Sequence, residues 1–205
     1  MKVLFLDFDG VLNSYRFMLE ERGMGRTGVA GLDPKAMTHV NYICGKTDAM
    51  IVVSSSWRYG RTLGELKDIL SAVGCTAIVR DVTPQPHEIA NGKLATAFAE
   101  QGMNLTEEEA KRTLIIARGR GHEIDAWLRV WSEVEDIESF VVLDDDSDIA
   151  PHEDRHVKTE FHSGLTSEHV PMALEILSRP WTGYRRHDAS CMHGDCWCKP
   201  GSDGT

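Results

Sequence analysis

The chain has 205 residues, of which 41% are hydrophobic and 26% charged, and these fractions predict one water-soluble domain with room for a sizeable core. The formal net charge of −10 excludes a protein that coats nucleic acid through a broad basic face, but it leaves open a site that binds one nucleic-acid end. Because no apolar run reaches the ~20 residues that span a bilayer, and because the five cysteines do not form a disulfide framework, we expect no membrane contact and a cytoplasmic location.

Apolar segments of strand length alternate with helix-like segments along most of the chain. The strand-like segments are continuously apolar, which is typical of strands that are buried on both faces. Helix boundaries are indicated by Asp33 followed by Pro34 at one start and by Gly74 after one end. The alternation predicts an α/β fold, a three-layer α/β/α sandwich around a mainly parallel, Rossmann-like sheet. The predicted strands cover residues 3–6, 50–53, 76–79, 140–143 and 155–160, and the predicted helices cover residues 34–45, 62–73, 123–131 and 168–177.

Residues 84–117 interrupt this alternation with a predicted helical insertion. The segment contains two helix-like stretches, at 88–101 and 106–111. It is either a lid over the site or an ordinary helical pair packed on the flank of the sheet, because periodicity alone does not locate a segment in space. The stretch between residues 12 and 33 is too short for a full cap at that position, so we expect little or no cap.

The end of the chain, from about residue 183, is polar and rich in glycine, histidine and cysteine, and we predict a flexible tail over residues 183–205. Three cysteines and a histidine between Cys191 and Cys198 are soft ligands that suit Zn²⁺, but they are more closely spaced than the usual paired arrangement. An unstructured, oxidisable tail is therefore the favoured interpretation. The predicted organisation is one domain over residues 1–182 followed by this tail.

Polar clusters directly follow three of the predicted strands. In a parallel sheet the carboxyl ends of the strands lie on one edge, which is where ligands bind in open α/β folds, so these clusters should converge. The result is one acidic crevice lined by hydroxyl groups. The clusters are Asp7-Phe8-Asp9-Gly10, Ser54-Ser55-Ser56 and Asp144-Asp145-Asp146-Ser147-Asp148.

So many carboxylates in one crevice would repel each other, and their pKa values would rise until some became neutral, unless a cation were present. Oxygen ligands without neighbouring cysteine or histidine favour Mg²⁺, or Mn²⁺, over zinc. Mg²⁺ in proteins is usually held by few carboxylates together with water and a substrate phosphate. The sequence therefore predicts a Mg²⁺ cofactor and a phosphorylated substrate.

The first cluster, Asp7 to Leu12, reads Asp-Phe-Asp-Gly-Val-Leu and resembles the first motif of the haloacid dehalogenase superfamily, in the position that the motif has in that family. The resemblance implies that Asp7 attacks phosphorus to form an aspartyl-phosphate. It also implies that Asp9 protonates the leaving oxygen and then activates water. Gly10 suits the sharp turn that would bring both carboxylates toward one phosphate.

Further residues match the second and fourth motifs of the same superfamily. Ser54 lies where the family has a serine or threonine that binds the phosphoryl group, and Ser55 is a weaker candidate because serines at such a turn also cap helices. Asp144 matches a metal ligand and Asp148 its partner four residues on, while Asp145 is a further candidate. The residues expected around Mg²⁺ are Asp7, Asp9, Asp144, Asp145 and Asp148.

The third motif departs from the superfamily pattern, because no lysine lies near the expected place. The segment from Arg118 to Leu128 instead resembles the Arg-Gly-x-Glu-Ile-x-x-Trp-Leu pattern of a small branch found in RNA-repair proteins and in phage and bacterial single-domain proteins. By this resemblance Arg120 takes the basic role and binds phosphate, with Arg118 second, and an arginine can contact two phosphate oxygens at once. The alternative is that both arginines are surface charges at a helix start.

These motifs predict a phosphomonoesterase that acts on a nucleotide or on a nucleic-acid 3′ or 5′ end. One alternative is a small-metabolite phosphatase in which residues 84–117 close as a lid. Another is a non-catalytic module that binds a metal or a protein partner, although such a module has no need of Asp9. The oligomeric state stays open. The arginines expected to steer the substrate are Arg16, Arg22, Arg26, Arg58 and Arg61.

Overall fold

The computed structural model describes residues 1–23, 31–85 and 119–183. Within these ranges five strands form one sheet: β1 (Lys2–Leu6), β2 (Met50–Val53), β3 (Val79–Val82), β4 (Ser139–Asp144) and β5 (His156–Lys158). The strand order is β3-β2-β1-β4-β5, and every neighbouring pair runs parallel. The predicted parallel, Rossmann-like sheet is therefore confirmed.

Helices cover both faces of this sheet. The described α-helices are α1 (Tyr15–Gly23), α2 (Pro34–Thr47), α3 (Leu63–Ala72), α4 (Arg120–Ser132) and α5 (His169–Ser178). Buried side chains of α2, α3 and α5 belong to one core cluster, whereas those of α4 belong to the other. This distribution confirms the three-layer α/β/α architecture. None of the described helices combines the length and the apolar character that a membrane span requires.

The central strand β1 contributes to both cores because its side chains alternate between the two faces. Leu4 and Leu6 lie in the larger cluster, and Val3 and Phe5 lie in the smaller one. All four are fully buried, and full burial of such side chains stabilises a fold by roughly 1.5–3 kcal/mol each. The end of β1, where Asp7 follows, is therefore fixed by packing on both sides.

Most predicted helices are confirmed, with shifts at their ends. Helix α2 begins at Pro34 because the carboxylate of Asp33 accepts a hydrogen bond from the N–H of Lys35 at 2.8 Å. Helix α3 follows a capping box between Thr62 and Glu65. Helix α4 begins three residues earlier than predicted, so Arg120 lies in its first turn.

Strand β3 corrects the prediction for residues 76–79, with which it shares one residue, Val79. The apolar pattern excluded Arg80 and Asp81, yet both lie in the strand because tertiary partners satisfy them. Asp81 accepts hydrogen bonds from the indole N–H groups of two tryptophans of α4, at 2.8 and 3.0 Å. Arg80 pairs with Glu135. Neither contact can be read from a local pattern.

Two further differences concern shorter elements. The last strand covers His156–Lys158, inside the predicted 155–160. Helix α1 was not predicted, because its apolar residues at helical spacing, Tyr15, Met18 and Leu19, span little more than one turn, and Tyr15 and Leu19 are exposed. The predicted insertion over 84–117, beyond residue 85, and the predicted tail, beyond residue 183, lie outside the described residues.

Candidate active site

The first acidic pair lies on a tight turn at the carboxyl end of β1. The N–H of Asp7 continues the sheet by donating to the carbonyl of Leu143 at 3.0 Å. The chain then turns so sharply that the carbonyl of Phe8 accepts from the N–H groups of Leu12, at 2.8 Å, and Asn13, at 3.0 Å. Gly10 adopts the left-handed region, with φ of +66°, as such a turn requires.

Gly10 has a second role, because a side chain of another strand end occupies the space beside it. A Cβ atom added at Gly10 would lie 2.2 Å from Cγ of Asp145 and 2.7 Å from its Cβ. From the other side, the hydroxyl of Thr159 donates to the Gly10 carbonyl at 2.7 Å. The missing side chain of Gly10 therefore lets Asp145 approach the turn that carries Asp7 and Asp9.

Three carboxylates meet at this sheet edge. Strands β1 and β4 are neighbours with Leu6 opposite Leu143, so the residues that follow them, Asp7 and Asp144, emerge side by side. Ligand oxygens of Asp7, Asp144 and Asp145 all lie within 4.8 Å of one another. The predicted convergence of the first and fourth motifs is therefore observed.

The ligand atoms of these three carboxylates fit a hard divalent cation. Among the described residues, Oδ1 of Asp7 and Oδ2 of Asp144 are buried oxygens that accept no hydrogen bond. Unsatisfied buried carboxylate oxygens are costly unless positive charge compensates them, and the guanidinium of Arg120, which lies near both oxygens, supplies one positive charge for three carboxylates. All possible ligand atoms of the three-carboxylate group are oxygens, and oxygen is the ligand type that Mg²⁺ prefers. Asp7, Asp144 and Asp145 are thus the residues that would hold the ion.

Burial and mutual repulsion disfavour ionisation of the carboxyl groups in this cluster. Burial, with a further contribution from the charge of Asp7, raises the pKa of Asp144 to about 7, although Arg120 acts against this rise. Burial also raises the pKa of Asp7, while Arg120 and a hydrogen bond from Ser55 lower it. Ionisation of these carboxyl groups therefore costs free energy, and a bound cation would lower that cost.

Arg120 is the basic residue that the structure brings to the cluster. Its Nε lies 3.3 Å from Oδ2 of Asp144, and its guanidinium lies 3.8 Å from Oδ1 of Asp7. The third-motif role predicted for Arg120 is compatible with this placement, because a phosphoryl group on Asp7 would lie beside the guanidinium. Arg118, the second candidate, lies outside the described residues.

Asp9 does not belong to the three-carboxylate group, and two donors bind its carboxylate. The side-chain amide of Asn13 donates to its Oδ1 at 2.7 Å, and the indole N–H of Trp57 lies 3.1 Å from both carboxylate oxygens. The hydroxyl of Ser56 approaches at 3.5 Å. Sequence analysis missed Asn13 and Trp57 as partners of Asp9. Asn13 lies four residues further along the same turn, whereas nothing in the sequence pairs Trp57 with Asp9.

The two candidate phosphate-binding serines have different partners. The hydroxyl of Ser55 forms a hydrogen bond with Asp7 and also accepts from the N–H of Trp57 at 3.4 Å. The hydroxyl of Ser54 is almost fully buried and accepts from Thr83 at 3.4 Å. The structure therefore brings Ser55, the weaker candidate of the sequence analysis, directly to Asp7. Phosphate binding by either serine stays a prediction.

Asp148 lies at the start of helix α4, and the three-carboxylate group does not include it. Its Oδ2 accepts a hydrogen bond from the backbone N–H of Arg120 at 2.9 Å. An acidic residue at this position also interacts favourably with the positive end of the helix. Asp148 thus fixes the helix turn that carries Arg120, and its predicted role as a metal ligand stays a prediction.

The prediction that Arg58 steers the substrate is wrong. Its side chain is 1% exposed and forms an ion pair with Glu123, with 2.6 Å between nitrogen and oxygen. The sequence alone does not distinguish an exposed arginine from one that is buried with a partner. Among the other candidates, Arg16 and Arg61 are exposed. Arg26 and the side chain of Arg22 lie outside the described part of the chain.

A parallel sheet whose central strand ends in Asp-x-Asp-Gly, with further aspartates at the end of the adjacent strand, defines the haloacid dehalogenase class of fold and site. Residues 3–170 match the family model described as the HAD domain in Swiss Army Knife RNA repair proteins, and the chain belongs to this family. The resemblance seen in the motifs is thereby confirmed. No curated protein and no solved structure gave a significant match. Membership supports a phosphohydrolase of the haloacid dehalogenase type in general.

Proposed function

We propose that the protein is a Mg²⁺-dependent phosphohydrolase that cleaves a phosphomonoester through an aspartyl-phosphate on Asp7. The observation that carries this proposal is the convergence of Asp7, Asp144, Asp145 and Arg120 at one sheet edge. When bound, Mg²⁺ would neutralise the carboxylates and withdraw charge from the phosphoryl group. Arg120 supplies a fixed positive charge beside Asp7 and Asp144.

The proposed reaction has two steps, and Asp7 and Asp9 act in both. A carboxylate oxygen of Asp7 attacks phosphorus, and the bond to the leaving oxygen breaks while Asp9 gives that oxygen a proton. Asp9 then takes a proton from water as the water attacks phosphorus, the bond to Asp7 breaks, and inorganic phosphate leaves. The hydrogen bonds from Trp57 and Asn13 keep the Asp9 carboxyl in one orientation for both transfers.

The proposed substrate is a nucleotide or a nucleic-acid 3′ or 5′ end. Tyr15 and Phe161 support it, because these residues are 45% and 50% exposed and exposed aromatic side chains can stack on bases. The N–H of Tyr15 donates to the Phe161 carbonyl at 2.9 Å, and Asn13, two residues before Tyr15, binds Asp9. The RNA repair proteins named in the family description are consistent with the same substrate class.

The test is a phosphate-release assay with and without Mg²⁺. The substrates are nucleotides, 3′- and 5′-phosphorylated oligonucleotides, sugar phosphates and phosphopeptides. We expect Mg²⁺-dependent release from nucleotides or oligonucleotides, loss of release in Asp7→Asn, and retained release in Asp146→Asn, whose side chain is exposed. Release from sugar phosphates alone would favour the small-metabolite phosphatase. Binding of Mg²⁺ without release from any substrate would favour the non-catalytic module.

A further inference from the structure

A buried ion pair joins the turn after β2 to the first turn of α4. The guanidinium of Arg58 lies 2.6 Å from Oε2 of Glu123, and the two side chains are 1% and 7% exposed. The same guanidinium donates to the backbone carbonyl of Ser55 at 2.6 Å. Burying two charges costs free energy that their mutual attraction often fails to recover. The proposed reaction has no direct use for this pair, so its position needs another explanation.

The position of Glu123 supplies that explanation. Glu123 follows Arg120 by three residues on the same helix face, and its Oε2 lies 3.7 Å from the Arg120 guanidinium. Arg120 in turn faces Asp144 and Asp7. Positive and negative groups thus alternate from Arg58 through Glu123 and Arg120 to Asp7. One oxygen of Glu123 faces both guanidinium groups.

This arrangement limits the orientations open to Arg120. A long, flexible side chain needs contacts at more than one edge of its guanidinium to keep one orientation. Asp144 contacts one part of the Arg120 guanidinium, and Glu123 approaches another. Arg58 in turn keeps Glu123 in place and links it to the backbone of Ser55, whose hydroxyl bonds Asp7.

We propose that Glu123 and Arg58 are positioning residues of the active site. Glu123 holds the guanidinium of Arg120 toward Asp7, and Arg58 holds Glu123 together with the Ser55 backbone. This inference rests on the proposed function, because it assigns Arg120 to the transferred phosphoryl group. It predicts that loss of the Glu123 charge harms catalysis although Glu123 does not touch the substrate.

The first test compares Glu123→Gln with a matched control, Glu135→Gln. Glu135 pairs with Arg80 at strand β3 and is partly exposed, so the control removes the same kind of ion pair away from the site. With para-nitrophenyl phosphate and Mg²⁺, we expect Glu123→Gln to lower kcat/KM roughly 10- to 100-fold, mainly through kcat, because small misplacements of catalytic groups have effects of this size. The control should match the wild type. Equal values for the two variants would overturn the proposal.

A double variant separates positioning from simple support of the fold. Replacing both partners, Arg58→Met with Glu123→Met, leaves no buried charge unpaired, so the thermal midpoint should lie near that of the wild type. If the pair positions Arg120, the double variant folds but still shows the loss of kcat/KM. If it folds with wild-type kcat/KM, the pair only supports the structure and the proposal fails.

A binding measurement keeps this proposal distinct from the proposed function. If the wild type releases phosphate from no substrate, the proposed phosphatase function fails, and titration with inorganic phosphate in the presence of Mg²⁺ decides the role of Glu123. We then expect Glu123→Gln to bind phosphate at least roughly tenfold more weakly than the wild type and Glu135→Gln. Equal affinities, or no phosphate binding by the wild type, would overturn the positioning role.

Discussion

Replacing Gly10 with alanine should weaken Mg²⁺ binding as well as the fold. The backbone cost comes from φ of +66°, because an alanine in the left-handed region is disfavoured by about 1–2 kcal/mol. The second cost is specific to this place. The new Cβ would lie 2.2 Å from Cγ of Asp145, so the carboxylate must leave its position beside Asp7 and Asp144.

A matched substitution isolates the second cost. Gly74 also has positive φ, at +92°, but a Cβ there would meet nothing within 4 Å. Gly74→Ala should therefore lose about 1–2 kcal/mol of unfolding free energy in denaturant titrations and bind Mg²⁺ normally. Gly10→Ala should lose more stability and bind Mg²⁺ at least roughly tenfold more weakly, since it displaces one of three ligands. A Gly10→Ala variant with the stability of Gly74→Ala and the Mg²⁺ affinity of the wild type would refute this role of Gly10.

Three more outcomes are expected. Because the pKa of Asp144 is raised to about 7 in the folded protein, its ionisation should lower the stability of the metal-free protein as pH rises from about 4 to about 7. In thermal melting with a chelator, the melting midpoint of Asp144→Asn should therefore fall less over this pH range than that of the wild type. Trp57→Phe removes a hydrogen-bond donor to Asp9 and should lower kcat roughly tenfold. Its affinity for inorganic phosphate should equal that of the wild type, which would show that the variant is correctly folded. Thr62→Ala removes the capping box of α3 and should cost about 1 kcal/mol in denaturant titrations without changing kcat/KM.

The sheet and its acidic edge could be predicted because they depend on local signals. Continuous apolar runs at residues 3–6 and 140–143 indicated buried strands, and the abrupt change to Asp7 and Asp144 marked the strand ends. Parallel topology then requires those ends to share one edge. The meeting of Asp7 with Asp144 follows from strand adjacency, which the structure shows between β1 and β4.

Other features depend on contacts between distant parts of the chain. Strand β3 contains Arg80 and Asp81, whose charges are satisfied only once helix α4 packs beside them. Arg58 looked like a surface charge because its partner, Glu123, is 65 residues away. The donor that Trp57 offers to Asp9 likewise spans 48 residues. Hydrophobic periodicity carries no information about such pairs, because each partner is an ordinary polar residue in its own segment.

The most direct test of the account is an experimental structure of the protein with Mg²⁺ and beryllium fluoride, which mimics a phosphoryl group on an aspartate. We expect beryllium fluoride to be attached to a carboxylate oxygen of Asp7. We also expect Mg²⁺ to contact Asp7, Asp144 and Asp145, and Arg120 to lie beside the fluoride atoms. A cation bound elsewhere, or beryllium fluoride absent from Asp7, would contradict the proposed mechanism.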